Sequence, residues 1–327
     1  MKLIVFEDEG FRKLLPLIWM RPVWELVCGA TSILEKIKRE YPKAEIIFEC
    51  RDYLNSDTRA HSPSLKLRRT SGHTGTRANG RGKIVYPWDM IKNLKQDLEE
   101  DLEYLGRGIK GKAHPSVVFY NRKNILIEKG AEIDAHCTLD ARQGPIFIGK
   151  NTIVHPGTLL RGPLSIGHDC RIAGEVVSSI IMPYVNKAHY GFLGHSYVCS
   201  WVNLGAGTTN SNLKNNYSSV KVMIDQKMVD SGETFVGCFI GDHTKTAIGS
   251  MIYTGCVIGV AANLFGQPFY KKFIPSFSWG IKDEAKIDEV IDIARASMKR
   301  RNVELNQLDI VLLKKAFELT RPERNLL

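Results

Sequence analysis

Long apolar runs are missing from this chain. No stretch of 18 apolar residues occurs, which excludes an ordinary membrane-spanning helix. The N-terminus, MKLIVFEDEG, has acids where a secretory signal needs a basic end and an apolar core, so a soluble, cytoplasmic protein is expected. Paired cysteines are missing too. Cys28, Cys50, Cys137, Cys170, Cys199, Cys238 and Cys256 are odd in number and form no C-x-x-C, which points to reduced thiols serving as small apolar side chains. No carboxylate-flanked histidine pair with tight ligand spacing exists, so zinc would require His189, His195 and His243 to converge across subunits. Glycine is scarce after the first strand, where Gly10 alone makes a poor phosphate cradle.

What is present fits a globular protein. At 327 residues the chain is long enough for two domains, and its 43% hydrophobic and 24% charged content is ordinary. A net charge of +10 suits an anionic partner, either nucleic acid or a phosphorylated substrate and cofactor. Much of that charge is local: Arg59, Lys66, Arg68, Arg69, Arg77, Arg81 and Lys83 crowd one stretch. A solvated basic loop over 55–82, low in periodicity, explains it without nucleic acid.

In chain order, Lys2–Phe6 reads as a buried strand, Ser32 caps a helix through Arg39, and Ala44–Cys50 reads as a second strand. Strand, helix, strand predicts an α/β domain with a parallel sheet over residues 1–112. A helical run ends at Leu105, and its acids and lysines are expected to form a solvated face. Then the spacing changes to six. Ile127, Ile133 and Leu139 fall six apart, as do Ile148, Val154, Leu160, Ile166 and Ile172. Phe192, Val198 and Leu204 continue the series, followed by Ile252, Ile258 and Leu264. Such hexads predict a parallel β-helix over 113–280, each apolar residue pointing inward and three hexads closing one coil. A helical tail over 281–327 carries two stripes: Ile287, Val290, Ile291, Ala294 and Met298, then Leu308, Val311, Leu312, Lys315 and Leu319.

The stretch Val185–Tyr217 interrupts the hexads with polar residues: Asn186-Lys187-Ala188-His189, Phe192-Leu193-Gly194, Asn203-Leu204-Gly205-Ala206-Gly207-Thr208, and Asn212. On these residues the chain resembles the left-handed β-helix acyltransferases. The match is closest to the acetyltransferase half of the bifunctional N-acetylglucosamine-1-phosphate uridylyltransferase/glucosamine-1-phosphate N-acetyltransferase family. FEDEGFRKLLPLIWMRPVWEL and Val85-Tyr86-Pro87-Trp88-Asp89 resemble a short variant with a sugar-nucleotidyltransferase-like first domain. The resemblance implies a homotrimer using acetyl-coenzyme A on an amino-sugar phosphate, with His189 as catalytic base and Asn203 in the catalytic set, contacting the sugar or the reacting amine. It implies substrate contacts from Asn186, Lys187, Phe192 and Asn212, a phosphate contact from Lys214 or Lys221, and an acyl-donor site at Gly205, Ala206 and Ser250. Two departures stand out: the family's tyrosine is Phe192 here, and an expected aspartate is His195.

The residues alone support the same chemistry. Acetyl transfer to an amine needs that amine neutral, and a histidine with an unperturbed pKa of about 6.5 suits a base. Backbone N–H groups in Asn203–Gly207 are candidate oxyanion donors. For the first domain, Arg12, Lys13 and Arg21 are candidate nucleotide-binding residues, and Asp8 and Asp89 candidate carboxylates for Mg²⁺. The domain reads as a degenerate nucleotidyltransferase. Two other readings remain: nucleotidyl transfer from UTP or dTTP as the main activity, and a non-catalytic sugar-nucleotide-binding scaffold.

Overall fold

The computed structural model describes residues 2–54, 84–266 and 269–325. The expected loop over 55–82 lies outside them. The hexads wind into a parallel β-helix because each inward aliphatic side chain stacks on its counterpart one coil away. Ile148 sits in register between Ile127 and Ile166, and Val154 between Ile133 and Ile172. These residues join one apolar column that runs from Ile125 to Ile274. Neighbouring strands lie about 4.8 Å apart, and their ladders pair the backbone from coil to coil.

The strands form nine- and ten-stranded sheets along two sides and a five-stranded sheet along the third. Pairing begins at Gly108–Ile109 and Lys112–Ala113, ahead of the boundary expected at 113. In the third expected series Val198 and Leu204 are buried in the column, but its first member is displaced by one residue. Leu193 is the buried position, whereas Phe192 lies outside it, because the corners between strands are not all of one length.

Corners require left-handed backbone. Between the nine- and ten-stranded sheets, Asn151, Asp169, Tyr184, Trp201 and His243 all take φ between 56° and 66°. That conformation costs an L-residue about 1–2 kcal/mol. Ring stacking offsets it: Tyr184 and Trp201 are parallel at 4.1 Å, with His168 edge-on to Tyr184 at 4.9 Å.

The outer sides of the sheets have different fates. On the nine-stranded sheet, Leu126, Phe147, Tyr197, Phe239 and Val257 are buried with Leu17, Ile18, Trp88 and Leu98 of the N-terminal segment. Over the ten-stranded sheet lies the C-terminal helix Ile287–Lys299, whose Val290, Ile293 and Ala294 close over His243, Lys245 and Asn263. The third side is open, and Val118, Tyr120, Met251 and Tyr253 are exposed along it.

The N-terminal segment pairs Lys2–Phe6 with Glu45–Glu49 in parallel, across the helix Ile33–Glu40. Ser32 caps that helix in a reciprocal box with Glu35, as its position predicts. No third strand joins this sheet among the described residues. The helix Leu94–Leu105 departs from the expected solvated face. Asp101 is fully buried and accepts hydrogen bonds from Ala30 N, Thr31 N, Lys36 Nζ and Arg39 Nη2, each within 3.1 Å. In the last long helix, Gln307–Leu319, the buried stripe is Leu312, Leu313 and Ala316, while Val311 and Leu319 are exposed.

Candidate functional site

The strand ladder on the open side breaks where the polar stretch begins. Phe192–Gly194 is the last strand of the five-stranded sheet, and the next coil's Thr209–Asn210 pairs onward with Met251–Ile252. Side chains bridge the break. Asn210 Oδ1 accepts from Gly194 N at 2.8 Å and Thr209 Oγ1 from Phe192 N at 3.3 Å. Beyond Asn210 the chain leaves the coils for an insertion that holds the hairpin Lys221–Ile224/Lys227–Asp230 and returns at Cys238.

His189 lies just before the break, exposed, on the turn between Asn186–Lys187 and Phe192–Gly194. Nothing within the chain ties up its imidazole among the described residues. Its neighbour Lys187 behaves differently. That side chain occupies an inward hexad position, is 2% exposed, and donates to the carbonyls of Ala173 (2.6 Å) and His189 (2.9 Å). Burial lowers its pKa to about 8. Lys187 is therefore a core residue that fixes the His189 turn, in place of the expected substrate contact. Between pH 8 and 10.5 the folded chain loses this proton while the unfolded chain keeps it, so stability rises with pH there. The stability of the native sequence relative to Lys187→Met should grow by about 3 kcal/mol across that window in urea titrations. A flat difference would mean a solvated ammonium.

Asn186 and Asn203 are neighbours, with Asn186 Nδ2 donating to Asn203 Oδ1 at 2.7 Å. They sit on the ten-stranded sheet, where Arg301 of the C-terminal segment donates to Asn186 at 3.3 Å. No hydrogen bond joins Asn203 to His189 among the described residues. The expected oxyanion donors are largely committed: Asn203 N donates to Thr244 O, Gly205 N to Thr246 O and Gly207 N to Tyr190 O, all within 3.1 Å. Gly205 has no room for a Cβ, which would lie 2.6 Å from Thr246 O. Ala206 accepts from Gly249 N through its carbonyl. Ser250 is 1% exposed and donates to Ala247 O at 2.9 Å, so its hydroxyl is committed within the chain.

Asn212 and His195 come together on the other flank of the break. Asn212 Nδ2 lies 2.8 Å from His195 Nδ1, and the imidazole stacks on Phe235 at 5.2 Å. A cleft of about 470 Å³ opens here, lined by His195, Ser178 and Phe235 with Trp88, Ile91 and Lys92 of the N-terminal segment. In the sequence His195 stands out as a departure from the resembled motif and as one of three histidines that zinc would need; its pairing with Asn212 is signalled only by a histidine on a corner followed by an insertion. Lys214 donates to Ser218 Oγ (2.6 Å) and Ser219 O, and Lys221 opens the hairpin, exposed. Lys272 donates to Lys221 O at 3.1 Å, which brings a third amine to this corner.

The N-terminal candidates do not assemble. Arg21 is 8% exposed and forms an ion pair with the buried Asp242 of the β-helix, so it is a tie between the two parts and no nucleotide ligand. Burial pushes the Asp242 carboxyl up, with Arg21 opposing. Asp8 caps the turn Glu9–Leu14 by accepting from Gly10 N, and Asp89 accepts from Val85 N and Tyr86 N. Arg12 pairs with Glu9 at the surface, and the Lys13 amine lies over the Tyr86 ring. Both carboxylates are thus engaged with backbone amides, and among the described residues no group of three His, Cys, Asp or Glu side chains is placed to hold a metal.

Comparison with known proteins completes the picture. Residues 3–68 match a sugar nucleotidyl transferase family model. A bifunctional sugar-1-phosphate nucleotidylyltransferase/acetyltransferase of Sulfurisphaera tokodaii is 34% identical over 144 residues, covering 43% of this chain and 35% of that protein. The bifunctional protein GlmU of Methanocaldococcus jannaschii is 31% identical over 189 residues, covering 57% and 44%. The chain thus spans less than half the length of these relatives. The solved N-acyltransferase AntD from Bacillus cereus, in complex with dTDP and 3-hydroxybutyryl-CoA, covers 62% of this chain and 96% of its own at 15% identity, with a TM-score of 0.27. The chain is similar, over part of their length, to bifunctional sugar-1-phosphate nucleotidylyltransferase/acetyltransferases, with a segment that matches a sugar nucleotidyl transferase model ahead of a parallel β-helix.

Proposed function

We propose that this protein transfers an acetyl group from acetyl-coenzyme A to the amine of an amino-sugar phosphate such as glucosamine 1-phosphate. The observation that carries the reading is the exposed His189 imidazole on the open side of a β-helix, beside a break in its ladder. The neutral amine attacks the thioester carbonyl, His189 takes the amine proton, and the tetrahedral intermediate collapses with loss of the coenzyme A thiolate. The thiolate then takes up a proton, completing amide and free thiol. The lysines at the insertion, Lys214, Lys221 and Lys272, supply positive charge for the sugar phosphate.

The proposal includes a homotrimer. Exposed Tyr190, Ile248, Met251 and Tyr253 offer apolar area for a second copy, and in such an assembly His189 would face a neighbouring chain. The test is release of free thiol from acetyl-coenzyme A with glucosamine 1-phosphate as acceptor, on protein sized in parallel by sedimentation equilibrium. Dependence of thiol release on the sugar supports the reading; a monomer without sugar-dependent release sinks it. The match over 3–68 favours nucleotidyl transfer as a second reading. Against it stand Arg21 held by Asp242 and the capping roles of Asp8 and Asp89. Uridylyl transfer from UTP to a sugar 1-phosphate would establish it.

A further inference from the structure

His195 and Asn212 make a pair whose chemistry is set by two constraints. The first is that the half-buried imidazole stacks on Phe235 at the corner, and desolvation lowers its pKa to about 4, so it is neutral at working pH. A neutral imidazole has one lone pair and one N–H. The second is that the amide nitrogen of Asn212 only donates. At 2.8 Å from Nδ1 it fixes the lone pair on Nδ1 and the proton on Nε2.

The amide oxygen is thereby turned away from the ring. Asn212 Oδ1 makes no hydrogen bond and is not sealed from solvent among the described residues. Gly194 locates the amide: a Cβ added there would lie 2.4 Å from Phe192 Cζ and 2.9 Å from Asn212 Nδ2. Phe192 and Asn212 therefore flank one glycine, next to the ladder break. The backbone of Asn212 is held as well, its carbonyl accepting from Val236 N at 3.0 Å.

We infer that His195 is a positioning residue: by accepting from the Asn212 amide, it presents Asn212 Oδ1 as a hydrogen-bond acceptor to an N–H or O–H donor of the sugar substrate. This rests on the acyl-transfer reading above. It also accounts for the departure at this position. The aspartate that the resemblance leads one to expect would accept from the same amide, so the exchange of aspartate for histidine keeps the acceptor while the ring gains its stack on Phe235.

Two readouts test it. In ¹⁵N-histidine NMR at pH 7, His195 should show the Nε2–H tautomer, and its Nδ1 signal should move in Asn212→Ala; an Nδ1–H tautomer would overturn the pairing whether or not the protein is an acetyltransferase. In kinetics, His195→Phe keeps the ring and removes the acceptor. It should raise KM for glucosamine 1-phosphate about tenfold, the size of one lost hydrogen bond, and leave KM for acetyl-coenzyme A and Tm unchanged. His195→Asp should recover most of that loss, and Asn212→Ala combined with His195→Phe should be no worse than Asn212→Ala alone. Additive losses, or equal rises in both KM values, would make His195 a packing residue. Absence of sugar-dependent thiol release by the unaltered protein would remove the acyl-transfer reading instead, with the tautomer still deciding the pair.

Discussion

Replacing His189 by alanine is expected to lower kcat for acetyl transfer by about two to four orders of magnitude, the range for losing a general base. That corresponds to roughly 3–5 kcal/mol of barrier. The fold should not notice. The side chain is exposed and makes no hydrogen bond among the described residues, and such surface changes stay within about 0.5 kcal/mol of stability. Steady-state assays beside thermal melts read both quantities on one preparation. Because Lys187 holds the turn through the His189 carbonyl and leaves the imidazole untouched, the alanine variant keeps that anchor. Equal turnover in the two proteins would take His189 out of the mechanism.

The second large effect is one of stability. Asp242→Ala removes the counter-charge of Arg21 and leaves a buried guanidinium beside Met182 Sδ, at 2.8 Å, without its paired carboxylate. A cost of about 3–5 kcal/mol is expected, as for breaking other buried pairs from one side. Ser200 N also loses its acceptor, Asp242 Oδ1, at 3.1 Å. Changing both partners, Arg21→Met with Asp242→Leu, should recover most of the loss, since no unpaired charge is left behind. Denaturant titrations of the three variants separate the cases. A penalty below about 1 kcal/mol for Asp242→Ala would mean that water reaches the pair.

The β-helix was legible because its physics repeats. An inward Ile, Val or Leu every sixth residue leaves a periodic trace, and Ile148 to Ile172 carries it without interruption. Local signals read equally well at the Ser32 cap and the strand Glu45–Glu49. What escaped were residues whose partners are distant in sequence. Nothing around Arg21 announces Asp242, and nothing around Asp101 announces Lys36 and Arg39. Lys187 escaped for another reason: a lysine in a motif reads as a ligand, although its place in the hexads was the inward one. The site was half legible. His189 and Asn212 stand out by motif as candidates, while the proposed role of His195 depends on a pairing made across the ladder break.

The coverage of the β-helix sides bears on how modular this molecule is. A solenoid is often thought of as a self-sufficient rod to which other domains are attached. Here the rod's lateral surface is itself interior. Tyr197, Phe239 and Val257 point outward from the coils yet are at most 1% exposed, because the N-terminal segment lies against them. Tyr197 even reaches across, its hydroxyl donating to the carbonyl of Val27 at 3.2 Å and accepting from the Val27 N–H at 3.0 Å. The N-terminal segment therefore serves as cladding whatever reaction it carries, since shedding it would leave the rod with an exposed apolar flank.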